Sequence, residues 1–125
     1  MKADPINIIL DKKLYDDKFF YLISGNEITL IEKIKTLLVN RITEEGSWIV
    51  EKIKNIESIN SDVSLFGKDK VYIISDCADV KSDFIDLKSK KSDKYIFISE
   101  NSPKIKNIKN VFKKRNETCL IDCYE

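Results

Sequence analysis

Apolar residues follow two rhythms along this chain. Phe19 to Ile23 is a short, nearly continuous apolar run closed by Ser24 and Gly25, which predicts a first parallel strand covered on both faces. Then Ile28, Ile31, Ile34, Leu38 and Ile42 recur at helical spacing with Leu30 and Leu37 beside them. They predict a long amphipathic helix, with Asn26 in the N-cap position and Gly46 able to end it. Ser47 to Asn60 sets Ile49, Ile53 and Ile56 on one stripe opposite lysines and glutamates, so a second amphipathic helix is expected, although Trp48, Ile49 and Val50 also suit the start of a strand. Val71 to Ile74, Tyr95 to Ile98 and Cys119 to Cys123 read as further strands. Two helical segments fill the gaps. One lies near Val80 to Leu87 with Phe84 and Leu87 facing inward, and the other uses Ile105, Ile108, Val111 and Phe112 with Pro103 near its start.

Strands alternating with helices predict an α/β fold, a mostly parallel sheet with flanking helices on both sides. The 125 residues suit a single domain with one core, and only two prolines and three glycines argue against long disordered stretches. Neither an internal repeat nor a linker interrupts the pattern.

Charge changes the picture by exclusion. Lysine and arginine number 22 against 21 acidic residues, a net +1, so nothing general draws the chain to nucleic acid or membrane, and a protein partner is expected. The most basic stretch, Lys104 to Arg115, spreads its cations around a predicted helix and reads as a solvated face, so DNA contact is expected to be indirect or weak. Cys77, Cys119 and Cys123 lack CxxC spacing and the chain has no histidine, which points to buried thiols and no metal site. No stretch approaches the roughly 18 apolar residues of a membrane span, and the first residues lack a signal-peptide core, so a cytoplasmic location is expected.

The turn after the first apolar strand is informative chemically. A phosphate-binding loop needs glycines for close backbone approach, then Lys and Ser or Thr. Here Ser24, Gly25, Asn26, Glu27, Ile28 and Thr29 supply one glycine, no lysine and an acidic residue where phosphate would sit. ATP hydrolysis is not expected, nor is any bound cofactor. The remaining catalytic candidate is Asp76, Asp79 and Asp83, which follow a predicted strand and could hold magnesium in a small α/β or receiver-like domain. Equally, these aspartates suit a strand end and a helix cap, and no nucleophile or base accompanies them.

Two large apolar residues stand at a junction in Ser61, Asp62, Val63, Ser64, Leu65, Phe66, Gly67, Lys68, Asp69, Lys70. Leu65 and Phe66 either close the core there or form an exposed plug. At this element the sequence resembles the delta subunit of the bacterial DNA polymerase III clamp loader. That family's first domain has an apolar strand, then Gly, a polar and an acidic residue, then a leucine-rich helix, as in Tyr21 to Glu27 and on to Leu38. It then carries Ser-Leu-Phe before a basic turn and an apolar strand, matching Ser64 to Lys70 and Val71 to Ile74. Tyr95 to Ser99, Pro103, Lys104 and the helix ending near Lys113 extend the likeness over most of Phe19 to Glu125.

The resemblance implies an AAA+ or RecA-like domain without Walker motifs, a non-catalytic piece that binds and helps open the sliding clamp in DNA replication. In the family the Leu and Phe enter an apolar pocket on the clamp; here they are Leu65 and Phe66, with Val63 and Ser64 extending the peptide. The partners so implied are the clamp and, in a full-length protein, the other loader subunits, while the fragment itself is expected to be monomeric. The chain departs from the family in three ways. No glutamine stands at Ser61 or Asp62; the strand usual between the first helix and the next is expected to be short or absent around Thr43 to Ser47; and the lid and collar domains are missing from these residues.

Overall fold

Six consecutive residues, Phe20–Gly25, are buried, and both edges of their backbone are paired, which makes this strand the centre of the sheet. The computed structural model describes residues 2–11, 18–44, 48–54, 69–75, 93–100, 106–115 and 118–123. Within them run β1 (Lys2–Ala3), α1 (Pro5–Leu10), β2 (Phe20–Gly25), α2 (Ile28–Thr43), β3 (Trp48–Ile53), β4 (Asp69–Ile74), β5 (Lys94–Glu100), α3 (Lys106–Lys114) and β6 (Thr118–Cys123). All strand pairs are parallel, in the order β1-β6-β2-β5-β4-β3. The protein is therefore α/β, as the alternation of elements predicts.

Period-two alternation divides the core into two layers. Phe20, Leu22, Tyr72, Ile74, Tyr95, Phe97 and Leu120 face α3, where Ile108 and Phe112 close the cluster. Tyr21, Ile23, Val71, Ile96, Cys119, Ile121 and Cys123 face the other way and meet Ile8 of α1 and Ile31, Ile34 and Leu38 of α2. Register places Phe20, Tyr95 and Tyr72 side by side on β2, β5 and β4, with ring centroids 5.1 and 5.3 Å apart and planes within 10° of parallel. Phe112 meets Phe97 edge-on at 5.9 Å.

Helix ends are satisfied by specific side chains. Thr118, fully buried, donates through its hydroxyl toward the carbonyls of Phe112 and Arg115 at the close of α3. Asp4 caps α1 by accepting from the Ile6 N–H at 2.9 Å, with Pro5 at the first helical position. None of the helices among the described residues is long and apolar enough to cross a membrane.

Three sequence expectations are corrected. Trp48–Ile53 is a strand paired in register with Asp69–Ile74, not the start of a helix, so the strand expected to be short or absent after the first helix is present. Ile49 and Ile53 satisfy both a helical stripe and a strand face, and the open ladder edge of β4 decides between them. The N-cap of α2 is Glu27 rather than Asn26, its carboxylate accepting from the Thr29 N–H at 3.2 Å. Finally, Phe20–Gly25 is the second strand: Lys2–Ala3 precedes it and pairs with β6. Gly46, Pro103 and the helix expected near Val80 to Leu87 lie outside the described residues.

Candidate functional site

Open parallel sheets bind ligands at the carboxyl ends of their strands, where the chain leaves neighbouring strands toward opposite faces. In this sheet that point lies between β2, which leads into α2, and its neighbour β5, which precedes α3 on the opposite face. The turn Gly25 to Glu27 occupies it. Gly25 has φ 137°, and a Cβ there would lie 1.9 Å from the Cys123 carbonyl oxygen. This approach lets the N–H groups of Asn26 and Glu27 both donate to Cys123 O at 3.1 Å. Groups that would cradle a phosphate in a nucleotide-binding loop are thus committed to β6, and Glu27 supplies the helix N-terminus with an anion of its own.

Next to the turn, Ser24 and Asp122 meet although 98 residues separate them: the Ser24 hydroxyl donates to Asp122 Oδ1 at 3.0 Å. Lys2 and Lys109 each stand 3.6 Å from the same carboxylate. Ser24 is fully buried, and two lysines offset the one acid, so the cluster ties β1, β2, β6 and α3 together at the sheet end. Nothing local in the sequence announces this cluster, because its members lie so far apart along the chain. Lys109 also belongs to the basic stretch read as a solvated face, and its pairing with Asp122 withdraws one cation from that face.

Cys123 is buried in the same region, and burial, with the Asp122 carboxylate adding to it, pushes its thiol up to about 11. Such a thiol is a poor nucleophile at neutral pH. The raised value also has a stability consequence. Because it lies above the ordinary value near 9, the contribution of the neutral thiol is complete below pH 9 and is lost as pH climbs toward 11. Urea unfolding across this range should show a falling midpoint in the native chain and a shallower fall in Cys123→Ala; parallel curves would contradict the assignment. Tyr95 and Tyr72, also raised mainly by burial, add to the decline in both proteins above pH 10.

The element singled out by sequence, Val63, Ser64, Leu65 and Phe66, lies outside the described residues, in the chain between β3 and β4. Asp76, Asp79, Asp83 and Cys77 are outside them as well. Among the described residues, no group of three His, Cys, Asp or Glu side chains gathers to hold a metal ion. What is described is the start of β4, shortly after Phe66 in sequence. There the Lys70 N–H donates to Asp93 Oδ1 at 2.9 Å, and the Lys70 ammonium pairs with Glu51 Oε1 of β3 at 3.1 Å. That pairing with Glu51 is the main cause holding the Lys70 ammonium above its usual range.

Fold and turn together define a class: a parallel α/β domain whose strand-to-helix turn after the central strand is closed by its own backbone and carboxylate. No family model matches the chain, and no curated protein shows significant similarity to it.

Proposed function

We propose that this chain is the clamp-binding domain of a clamp-loader subunit of the bacterial delta type, gripping the sliding clamp during DNA replication through Leu65 and Phe66. The observation that carries the reading is the turn after β2. It has the position of a phosphate loop, yet its N–H groups bond Cys123 O and Glu27 caps α2. A domain of nucleotide-binding ancestry that works by binding rather than hydrolysis has this chemistry. Two further features support it. β3 stands between α2 and the Ser-Leu-Phe element, where the resemblance implies a strand. Also, the order β6-β2-β5-β4-β3 is compatible with an AAA+-like or RecA-like sheet.

On this reading the domain performs no reaction of its own and works in the cytoplasm. Binding an open or distorted ring more tightly than a closed one is enough to favour opening, with ATP energy entering through other loader subunits. Calorimetric titration of purified sliding clamp into the native chain and into a Leu65→Ala, Phe66→Ala double variant tests it. Each anchor is worth roughly 1.5–3 kcal/mol when buried, so the double variant should bind roughly a hundredfold more weakly or worse. Equal affinities reject the plug.

The magnesium-site alternative built on Asp76, Asp79 and Asp83 draws less support. Receiver-like sheets have the order 2-1-3-4-5; here, counted from β2, the first strand lies between the fifth and the fourth.

A further inference from the structure

Helix α1 turns an apolar face outward. Ile6 and Leu10, one turn apart, are 62% and 77% exposed, the most exposed large apolar side chains among the described residues. Beside them Ile9 lines a groove of about 550 Å³ between α1 and α2, whose opposite wall is formed by Lys33, Thr36, Leu37, Asn40 and Arg41. A volume of this size is in the range of recognition sites.

Arg41 gives the groove its chemistry. One terminal nitrogen, Nη2, donates to the Ile8 carbonyl in the last turn of α1 and so holds the two helices together. The other, Nη1, is buried and has no hydrogen-bond partner. Native interiors leave few donors unmatched, least of all on a permanently charged group, and each exception asks for an acceptor. Lys33, two turns earlier on α2, adds a second cation to the same wall. Glu44, the groove's own carboxylate, is exposed at the C-cap of α2 and does not bond Nη1.

We propose that the α1–α2 groove docks a peptide segment of a protein partner that carries acidic residues next to apolar ones. A Glu or Asp carboxylate seated at the groove lies against the two cations that line it, the Arg41 guanidinium and the Lys33 ammonium. Apolar side chains of the peptide cover Ile9 and Leu37 and continue onto Ile6 and Leu10. This continuity favours a peptide over a small anion, which would leave the outer face of α1 in water. Thr36 and Asn40 offer polar groups to the peptide backbone. The surface is independent of Leu65 and Phe66, so it stands or falls separately from the clamp reading.

The test is an amide NMR titration of the whole chain with N-acetyl-Glu-Leu-Leu-Glu-Leu-amide and with its glutamine counterpart. The acidic peptide is expected to shift the amides of Ile9, Thr36, Leu37 and Asn40 and to bind about tenfold more tightly than the neutral one. Arg41→Gln should erase that preference. Because Arg41 also anchors α1, Leu10→Ser serves as the second variant: it lies on the exposed face, leaves the fold intact and should weaken both peptides. Equal affinity of the two peptides, shifts at other residues, or no shifts at millimolar peptide would overturn the proposal. Sodium acetate reproducing the same shifts at the same concentration would overturn it too, reducing the groove to a simple anion site.

Discussion

Gly25→Ala is expected to cost about 2–6 kcal/mol of folding stability, the largest effect of any conservative change at the described residues. Two penalties act together. At φ 137° a side-chain-bearing residue is strained whatever surrounds it, and the added methyl would meet the Cys123 carbonyl carbon at 2.5 Å as well as its oxygen at 1.9 Å. Neither neighbour can yield cheaply, because both are backbone atoms of a strand paired with β2. Moving them apart breaks the bonds from Asn26 and Glu27 to Cys123 O and loosens the start of α2. Equilibrium urea unfolding measures the effect through the shift in midpoint at constant slope. A loss below about 1 kcal/mol would mean that the turn does not approach β6 this closely, a value within the ordinary run of single substitutions.

The second large effect is expected at Tyr95, the middle rung of the aromatic row. Tyr95→Ala should cost about 3–5 kcal/mol through lost burial and an unfilled cavity. It also removes both stacks, to Phe20 at 5.1 Å and to Tyr72 at 5.3 Å. Tyr95→Phe keeps the ring and both neighbours, so its cost should be about 1 kcal/mol, the scale of one polar interaction. The pair of variants separates packing from the hydroxyl. The phenylalanine variant should in addition lose less stability above pH 10, because burial raises the native Tyr95 hydroxyl well above its ordinary value, and the stability held by the neutral form drains away as pH rises past that value. If alanine and phenylalanine cost the same, the row is not a packed unit.

Much of this architecture is legible in the order of residues. The buried run ending at Ser24 and Gly25, the stripe from Ile31 to Leu38, and the pairing of Ile108 with Phe112 all follow from side-chain periodicity, and each element forms where that periodicity places it. The character of the Gly25 turn is legible too, since Glu27 in place of a lysine already argues against phosphate. Its geometry is not. Glu27 rather than Asn26 caps the helix, and the Asn26 and Glu27 N–H groups are drawn onto Cys123 O, a contact between residues almost a hundred positions apart.

Tertiary structure alone decided the rest, for one physical reason: pairing energy comes from neighbours that a local window does not contain. Residues 48–53 carry an ambiguous apolar spacing and become a strand because the edge of β4 offers a ladder. Lys2 and Ala3 are too few to show a period and are held as a strand by Leu120 and Ile121. The meeting of Ser24, Asp122, Lys2 and Lys109, and the stranded nitrogen of Arg41 beside α1, likewise exist only once the sheet is assembled. Local sequence determined which segments are strands or helices wherever one period dominated; the assembled sheet determined which of them touch, and therefore where charge and donors collect.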